Sequence, residues 1–412
     1  MHIAIASTEF VTELTFAGGL ANYSANLARL LRKHGHDVSV FVISFVNEEF
    51  IWDDGIKIYR VCYNDHQPKI EKIKVEIFRR CVQVLWNLTG RSFVINKKIK
   101  EVNQKKKIDI VHFCNASSLS LLRSKKIPAV VRLSHYRPII HDAEMPVFDY
   151  EKSINNLDLI DRIQFAATKR ADAIFAPSYN IARLTEQKIK RKVHVIESPF
   201  LIDTDKVDDT LYEQKLYGKK YFIFYGTLSY LKGVHVITEA LSRFMQEYPD
   251  YFFIFIGRNQ KMRYRGGVED GIDYVYGMLP HFRDRILYIP ALSNKEQLYS
   301  FVKHAEACLL PSRTENLSNA CIESMALGQI VVGTDGASFE QLIDDGYNGF
   351  LIQRDNAEQL FYKMEKILHM TEVEKQDMRS RAKETVVRLN PENIYGQIME
   401  FYQSVIKKKA GR

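Results

Sequence analysis

Short apolar runs alternate with amphipathic stretches along the chain. Residues 3–6, 37–43, 56–61, 109–113, 129–133, 173–176 and 193–196 are each brief and apolar enough for a buried strand. Between the first two, Leu20, Leu27, Leu30 and Leu31 recur at helical spacing up to about His34. A strand, a turn with Gly18 and Gly19, a helix and a second strand make a βαβ unit, which implies a parallel sheet. A basic segment is predicted helical over 69–107, with Ile70, Ile73, Ile77, Cys81, Val84 and Leu88 in register and Lys69, Lys72, Lys74, Arg79 and Arg80 among them. Such a helix can cover its own sheet or lie on an anionic membrane surface. Further helices are predicted up to about Arg170 and over 178–190, whereas 136–156 shows no clear periodicity and is long enough for a binding loop.

Residues 197–217 lose the pattern and read as a linker. The rhythm then restarts with strands at 221–225, 251–256, 286–289, 307–310, 330–332 and 350–352. Helices are predicted from Lys232-Gly233 to about Tyr248 and over 294–304, and residues 266–280 read as glycine-rich and irregular. Pro391 sets off a final helix over 392–409. The pattern gives an α/β protein of two successive halves, 1–200 and 201–391, with no repeat of solenoid length.

The most informative chemistry lies between Pro311 and Gly328. Pro311 stops the strand 307–310, because a central strand needs the N–H that proline lacks. Ser318 is a candidate N-cap, Gly328 stands where a helix ends, and Cys321, Ile322, Met325 and Ala326 share one helical face. A helix N-terminus just past a strand end offers free N–H groups and partial positive charge, which suits a phosphate. Glu315 precedes that terminus and Glu323 follows it. A carboxylate is a poor phosphate ligand and a good hydroxyl acceptor, so the combination describes a nucleotide-sugar. By spacing alone two such glutamates more often mark a solvated helix end than a site. His112 closes the run 109–113 and His135 follows the run 129–133, at strand carboxyl ends, where α/β sheets collect ligands.

Charge and composition narrow this reading. The chain has 412 residues, of which 46% are hydrophobic, so each half can bury a core. Residues 1–200 hold 31 Lys+Arg against 21 Asp+Glu and carry the positive charge, which favours an anionic partner for that half. Basic and aromatic residues do not interleave as in nucleic-acid readers, so nucleic acid is not an expected partner. Five scattered cysteines without a C-x-x-C pair argue for a reducing compartment, and no zinc site is expected. The first residues read as a strand without the basic start of a signal peptide, and no apolar run approaches a membrane span. G-x-G-x-x-G is missing after the first strand, which discounts an NAD enzyme. Asp203-Thr204-Asp205 has a metal-binding spacing but sits in the linker, so it is set aside as a metal site.

Together these residues resemble the retaining glycosyltransferases of family 4, whose GT-B architecture sets two Rossmann-like domains about a central cleft. Glu315 to Glu323 is similar to the family's E-x7-E motif, inside Pro-Ser-x-x-Glu and followed by Glu-Ser-Met-Ala-Leu-Gly. Gly226-Thr227-Leu228 with Lys232-Gly233 resembles its phosphate-binding turn, and Gly18-Gly19 and Gly35-His36-Asp37-Val38 resemble its opening segments. The resemblance implies transfer of a sugar from a UDP- or GDP-sugar to a glycan or polyprenyl-linked acceptor in cell-surface polysaccharide synthesis. It implies a nucleotide-sugar co-substrate, no cofactor and no metal, and a cytoplasmic protein, peripheral at the membrane's inner face, with an acceptor domain over 1–200 and a donor domain over 201–391. The helix 392–409 would pack back on the first domain.

By the same resemblance, Glu315 and the backbone of Asn316, Leu317, Ser318 and Asn319 hold the donor sugar and diphosphate, and Glu323 accepts from the ribose. Lys232 neutralises the leaving diphosphate, Gly226 and Thr227 line its turn, and Gly257 and Arg258 lie near the base. Gly18 and Gly19 approach the diphosphate, and His135 is the active-site histidine near the sugar. Two positions depart from the family: Thr227 stands where arginine is usual and Asn316 where glycine is. Arg258 or Arg313 is the expected substitute for the missing cation. A nucleotide-sugar 2-epimerase and a catalytically silent binding subunit are the alternatives on this fold.

Overall fold

The computed structural model describes residues 1–13, 18–68, 75–200, 204, 206–264 and 266–411. Phe16 and Ala17 of the first turn, residues 69–74 of the predicted basic helix, and Asp203 and Asp205 lie outside them. The chain divides into two compact units, one of Met1–Pro138, Asn156–Pro199 and Pro391–Arg412, the other of Ile139–Asn155 and Phe200–Asn390. Residues 139–155 therefore pack with the second unit, although the sequence reading placed them in the first.

The first unit is built on an eight-stranded sheet. Its strands are β1 (His2–Ser7), β2 (Asp37–Ser44), β3 (Glu48–Trp52), β4 (Ile56–Cys62), β5 (Ile110–Cys114), β6 (Ala129–Arg132), β7 (Ala173–Ala176) and β8 (His194–Val195), in the order β3-β4-β2-β1-β5-β6-β7-β8. All neighbours are parallel except β3, which runs antiparallel to β4. Sequence patterning misses β3 because it is an edge strand whose residues are exposed or half-buried. Ile3, Ile5, Val38, Val40, Ile110 and Val130 form the core of this unit with the helix α1 (Gly19–Lys33).

The helix Pro391–Ala410 belongs to the same unit. Ile394, Ile398 and Tyr402 are buried there, and Lys409 Nζ lies 2.8 Å from Asp172 Oδ1. His112 does not stand at a strand's carboxyl end. It lies inside β5, 2% exposed, with Nδ1 2.6 Å from the Tyr402 hydroxyl. It is a core histidine, and burial is the main cause that lowers its pKa from 6.5 to about 3.

The predicted basic helix becomes α2 (Glu76–Lys105). Its second half covers the sheet through Val94, Ile95, Ile99 and Val102. In its first half Phe78, Cys81, Val84 and Leu85 are exposed, so the apolar period there does not mark a core face.

The second unit carries a six-stranded parallel sheet of β9 (Lys220–Tyr225), β10 (Tyr251–Gly257), β13 (Ile286–Pro290), β14 (Cys308–Leu310), β15 (Val331–Thr334) and β16 (Phe350–Ile352). Between β10 and β13, β11 (Lys261–Tyr264) and β12 (Gly267–Asp270) form a separate antiparallel pair. The sheet order β13-β10-β9-β14-β15-β16 is Rossmann-like. Connections leave the first strand in opposite directions, so a crevice opens between the carboxyl ends of β9 and β14.

Two stretches without a clear sequence pattern contain helices. Residues 266–280 contain β12 and the helix Gly271–Met278, with the Tyr264 and Tyr274 rings 5.0 Å apart. A Cβ at Gly271 would lie 2.8 Å from Leu228 O, so that glycine serves close approach rather than disorder. The linker holds the helix Thr210–Leu216, whose Tyr212 is buried and stacks on His304 at 4.1 Å. Among the described residues no helix is long and apolar enough to cross a membrane.

The buried His112 predicts an acid dependence of stability. With the folded-state pKa lowered to about 3, the unfolded chain takes up a proton below pH 6.5 that the folded one refuses. Stability is therefore full above about pH 6.5 and falls as pH drops toward 3. Between pH 7 and 5 the loss from this group is on the order of 2 kcal/mol. Urea unfolding at the two pH values checks this, and His112→Gln should show a shallower decline than the unmodified protein.

Candidate functional site

Two strand ends meet at the crevice of the second unit. After β9 the chain turns through Gly226, Thr227, Leu228 and Ser229 and enters the helix Val234–Glu247 past Lys232 and Gly233. After β14 it runs through Pro311 to Ser318 and enters the helix Asn319–Ala326. Ser318 is the N-cap: its side chain accepts a hydrogen bond from the Cys321 N–H. That helix presents its unsatisfied first-turn N–H groups, and their partial positive charge, at the crevice. Its other end closes at Gly328, with φ of +74°.

Backbone approach fixes the two ends against each other. Gly233 has φ of +77°, and a Cβ built on it would lie 2.0 Å from Pro311 O. The Arg313 N–H donates to Leu231 O at 2.8 Å. Lys232 is thereby brought to Glu315: its Nζ lies 2.5 Å from Oε1, which also accepts from Ser312 Oγ at 2.9 Å. The Glu315 side chain is 13% exposed and that of Lys232 31%, so the pair is open to a ligand on one side. Ser338 Oγ donates to the Glu315 carbonyl at 3.1 Å.

Glu323 sits in the helix beyond, where its side chain is 9% exposed and accepts from Lys295 Nζ at 2.8 Å. The Tyr225 hydroxyl, at the end of β9, donates to Ala320 O at 2.5 Å and is 3.0 Å from Ser324 Oγ. This clamps the helix onto the sheet. Gly257 lies at the end of β10, and a Cβ there would lie 1.8 Å from Gly226 O. Leu228 N–H donates to Arg258 O at 2.8 Å. Thr227 and Asn316 are half-buried, Leu317 and Ser318 buried, and Arg258 and Asn319 exposed.

Arg313 does not substitute for the missing arginine. Its side chain is 3% exposed and fully engaged. Nε donates to Asp355 Oδ1 at 2.8 Å, and the remaining guanidinium nitrogens donate to Ala143 O at 3.1 Å, Met145 O at 2.5 Å and Pro146 O at 3.2 Å. It thus holds residues 139–155 on the second unit, helped by Arg354 over the Tyr150 ring at 4.0 Å and by Glu144 Oε2, 3.4 Å from Leu231 N. Asp355 also accepts from His235 Nε2 at 2.9 Å. Burial alone would raise the Asp355 carboxyl, but the bonds from His235 and Arg313 hold it below the ordinary carboxylate value.

Gly18, Gly19 and His135 belong to the first unit. Gly18 is the N-cap of α1, which lacks a side-chain cap. His135 follows β6 in a turn fixed by Asn115: its amide donates to His135 O at 2.9 Å and its oxygen accepts from Ser134 N at 2.8 Å and Ser134 Oγ at 2.7 Å. Burial first, then the Arg137 charge, lowers the His135 pKa to about 4, so the imidazole is neutral at pH 7. Asn115, Glu144 and Lys295 escaped sequence reasoning because each acts across the fold. Among the described residues no cluster of three His, Cys, Asp or Glu side chains is set to hold a metal.

Twin Rossmann-like sheets, the second with a lysine-glutamate pair beside a helix N-terminus at its switch point, define a GT-B glycosyltransferase scaffold. A family model described as Glycosyltransferase Family 4 matches residues 17–203, and one described as Glycosyl transferases group 1 matches residues 212–385. These spans take in most of the chain, and the chain belongs to glycosyltransferase family 4.

An uncharacterized glycosyltransferase of Haemophilus influenzae is 21% identical over 367 residues, covering 88% of this chain and 90% of that protein. An uncharacterized 41.2 kDa protein in the cps region of Klebsiella pneumoniae is 20% identical over 357 residues, covering 85% and 94%. Spore coat protein SA of Bacillus subtilis is 26% identical over 164 residues, so the match spans 39% of this chain and only 42% of that protein. Among solved structures, sucrose-phosphate synthase of Thermosynechococcus elongatus has a TM-score of 0.73 at 16% identity, with 99% of each chain covered. HepE of Anabaena in complex with UDP-glucose has a TM-score of 0.68 at 17% identity, with 98% and 100% covered. At these identities the structures speak for the fold.

Replacing Arg313 by Met should destabilise the protein by about 3 kcal/mol in urea unfolding. The value is at the low end for a broken buried pair, because Asp355 retains 29% exposure. Arg313→Lys should recover only part of this, since an ammonium cannot serve the carboxylate and three carbonyls at once.

Proposed function

We propose that the protein is a retaining transferase that moves a sugar from a UDP- or GDP-sugar to a glycan or lipid-linked acceptor in cell-surface polysaccharide synthesis. The observation that carries this reading is Lys232 held 2.5 Å from Glu315 at the β9–β14 switch point, beside the N-terminus of the helix Asn319–Ala326. The HepE structure, which contains UDP-glucose, supports the donor class. The relatives named for a cps region and a spore coat support a surface glycan.

In this reading the donor diphosphate lies at the helix N-terminus, with the backbone of Asn316 to Asn319 and Lys232 as its positive partners. Glu315 accepts from a sugar hydroxyl, and Glu323 turns from Lys295 to the ribose. The bond between the anomeric carbon and the phosphate oxygen breaks as the acceptor hydroxyl attacks from the same face, and its proton passes to the departing phosphate. Lys232 stabilises charge that grows on that phosphate. His135, neutral at pH 7, is the histidine that this reading places near the donor sugar. Exposed Arg258 supplies the cation that Thr227 does not, which favours an active enzyme over a silent subunit.

Thermal shift and titration calorimetry with UDP-, GDP- and ADP-sugars test the proposal. One donor should stabilise the protein, and Lys232→Ala or Glu315→Ala should each weaken its binding about 10- to 100-fold. Arg258→Ala should cost about ten-fold. A protein that binds none of these donors is not the transferase described.

A further inference from the structure

The turn after β15 contains a residue that breaks two conformational preferences at once. Ser338 lies at φ of +70° and ψ of 5°, in the left-handed region, although it is not a glycine. A side chain there costs free energy that glycine does not lose. Ser338 is also the N-cap of the short 3-10 helix Phe339–Gln341, where a serine side chain ordinarily accepts from the helix's own N–H groups. Here it makes no such bond. Its hydroxyl instead donates to Glu315 O at 3.1 Å, across 23 residues of sequence.

Packing accounts for the backbone but not for the side chain. Phe339, 1% exposed, sits over β15, where a Cβ on Gly333 would lie 2.6 Å from its ring. The left-handed residue before Phe339 turns the chain so that this ring returns onto its own strand. Glycine would serve the same turn with less strain, so the hydroxyl is what serine adds. Ser338 is 2% exposed, so that hydroxyl is not there for solvent.

The bond fixes one peptide plane. Glu315 O belongs to the peptide that joins Glu315 to Asn316, and in a planar trans peptide the N–H points opposite to the C=O. Holding the carbonyl toward Ser338 therefore aims the Asn316 N–H to the other side. A second tie runs beside the first. Arg354 donates from Nε to Arg313 O at 2.7 Å and from Nη2 to Gly336 O at 2.8 Å. The turn that holds residues 336 and 338 is thus fastened to the carbonyls of residues 313 and 315, and Ser338 carries the fastening to the Glu315–Asn316 peptide itself.

We infer that Ser338 is a positioning residue of the nucleotide-sugar site, its hydroxyl setting the Glu315–Asn316 peptide so that the Asn316 N–H stands with the Lys232–Glu315 pair toward the donor. The inference rests on the donor reading above and assigns Ser338 no contact with the donor.

Ser338→Gly and Ser338→Ala test it together, because both remove the hydroxyl and only the alanine keeps a Cβ in the left-handed region. The glycine variant should therefore unfold at a higher temperature than the alanine variant. In titration calorimetry with UDP-glucose, GDP-glucose and ADP-glucose, the sugar nucleotide that the unmodified protein binds should bind both variants about three- to ten-fold more weakly. Hydrogen exchange of the 314–316 amides should be faster in both. A role in stability alone would make affinity follow the thermal midpoint, with the glycine variant binding as the parent does. Parent-like affinity in either variant, or unchanged exchange at 314–316, overturns the inference and leaves the donor reading standing. If the unmodified protein binds none of the three sugar nucleotides, the donor reading falls and this inference with it.

Discussion

Lys232 can reach Glu315 only because no side chain stands between the turn that carries it and the end of the adjacent strand. Gly233 supplies that gap, through a left-handed φ of +77° and a surface that would collide with Pro311 O if it bore a Cβ. The Leu231 carbonyl is then in place to accept from Arg313 N at 2.8 Å. The ion pair itself contributes little to stability. Its lysine is 31% exposed, and partly solvated pairs are worth about 0–1 kcal/mol. Its value is positional. A cation and a carboxylate stand at the carboxyl ends of β9 and β14, where the Rossmann order opens a crevice and a helix terminus adds its own positive field.

Arg313 extends this constraint to a distant piece of chain. It lies two residues before Glu315, and its guanidinium grips the carbonyls of Ala143, Met145 and Pro146. Its own backbone holds Leu231, whose N–H faces Glu144 of the gripped segment at 3.4 Å. The bonds close a ring through the turn before Lys232, the strand end before Glu315 and the segment 139–155. A guanidinium suits that position because its planar fork serves a carboxylate and several carbonyls together. Burying it costs desolvation that the Asp355 pair only partly offsets. The gain is a fixed geometry around the pair rather than stability.

Where the chain signals through local pattern, its structure was legible. The apolar runs of both central sheets, the Ser318 cap, the Gly328 stop and the restart after the linker all depend on neighbours within a few residues. What was hidden depends on partners far away. β3 is an edge strand that turns only the half-buried Phe50 and Trp52 to the core, and its pairing with β4 makes it a strand. Residues 266–280 looked irregular because Gly271 yields to the approach of Leu228, not because the backbone is unordered. His112 was placed at a strand's carboxyl end but lies within its strand and pairs with Tyr402, 290 residues away. The candidate site divides in the same way. Its motif residues were legible because they sit on one turn and one helix start. Arg313, Lys295 and Glu144 were not, since their roles are set by Asp355, Glu323 and Leu231.

The balance of charge at the crevice bears on the departure from the family at Thr227. Lys232 is paired with Glu315, and Glu323 with Lys295, so each lysine shares its charge with a carboxylate and the helix terminus adds only a partial one. In the proposed reading, a diphosphate carries more negative charge than a shared lysine and a helix end offset, so a further cation would tighten its binding. Arg313 cannot supply it, being committed to Asp355 and three carbonyls. Arg258 is exposed on the turn after β10, and Gly257 lets that turn come so close to Gly226 that a Cβ built on it would lie 1.8 Å from the Gly226 carbonyl oxygen. In the proposed reading, the glycine contact that seats the Arg258 turn against Gly226 is also what would make the absence of an arginine at Thr227 tolerable: the charge would move from one strand end to its neighbour.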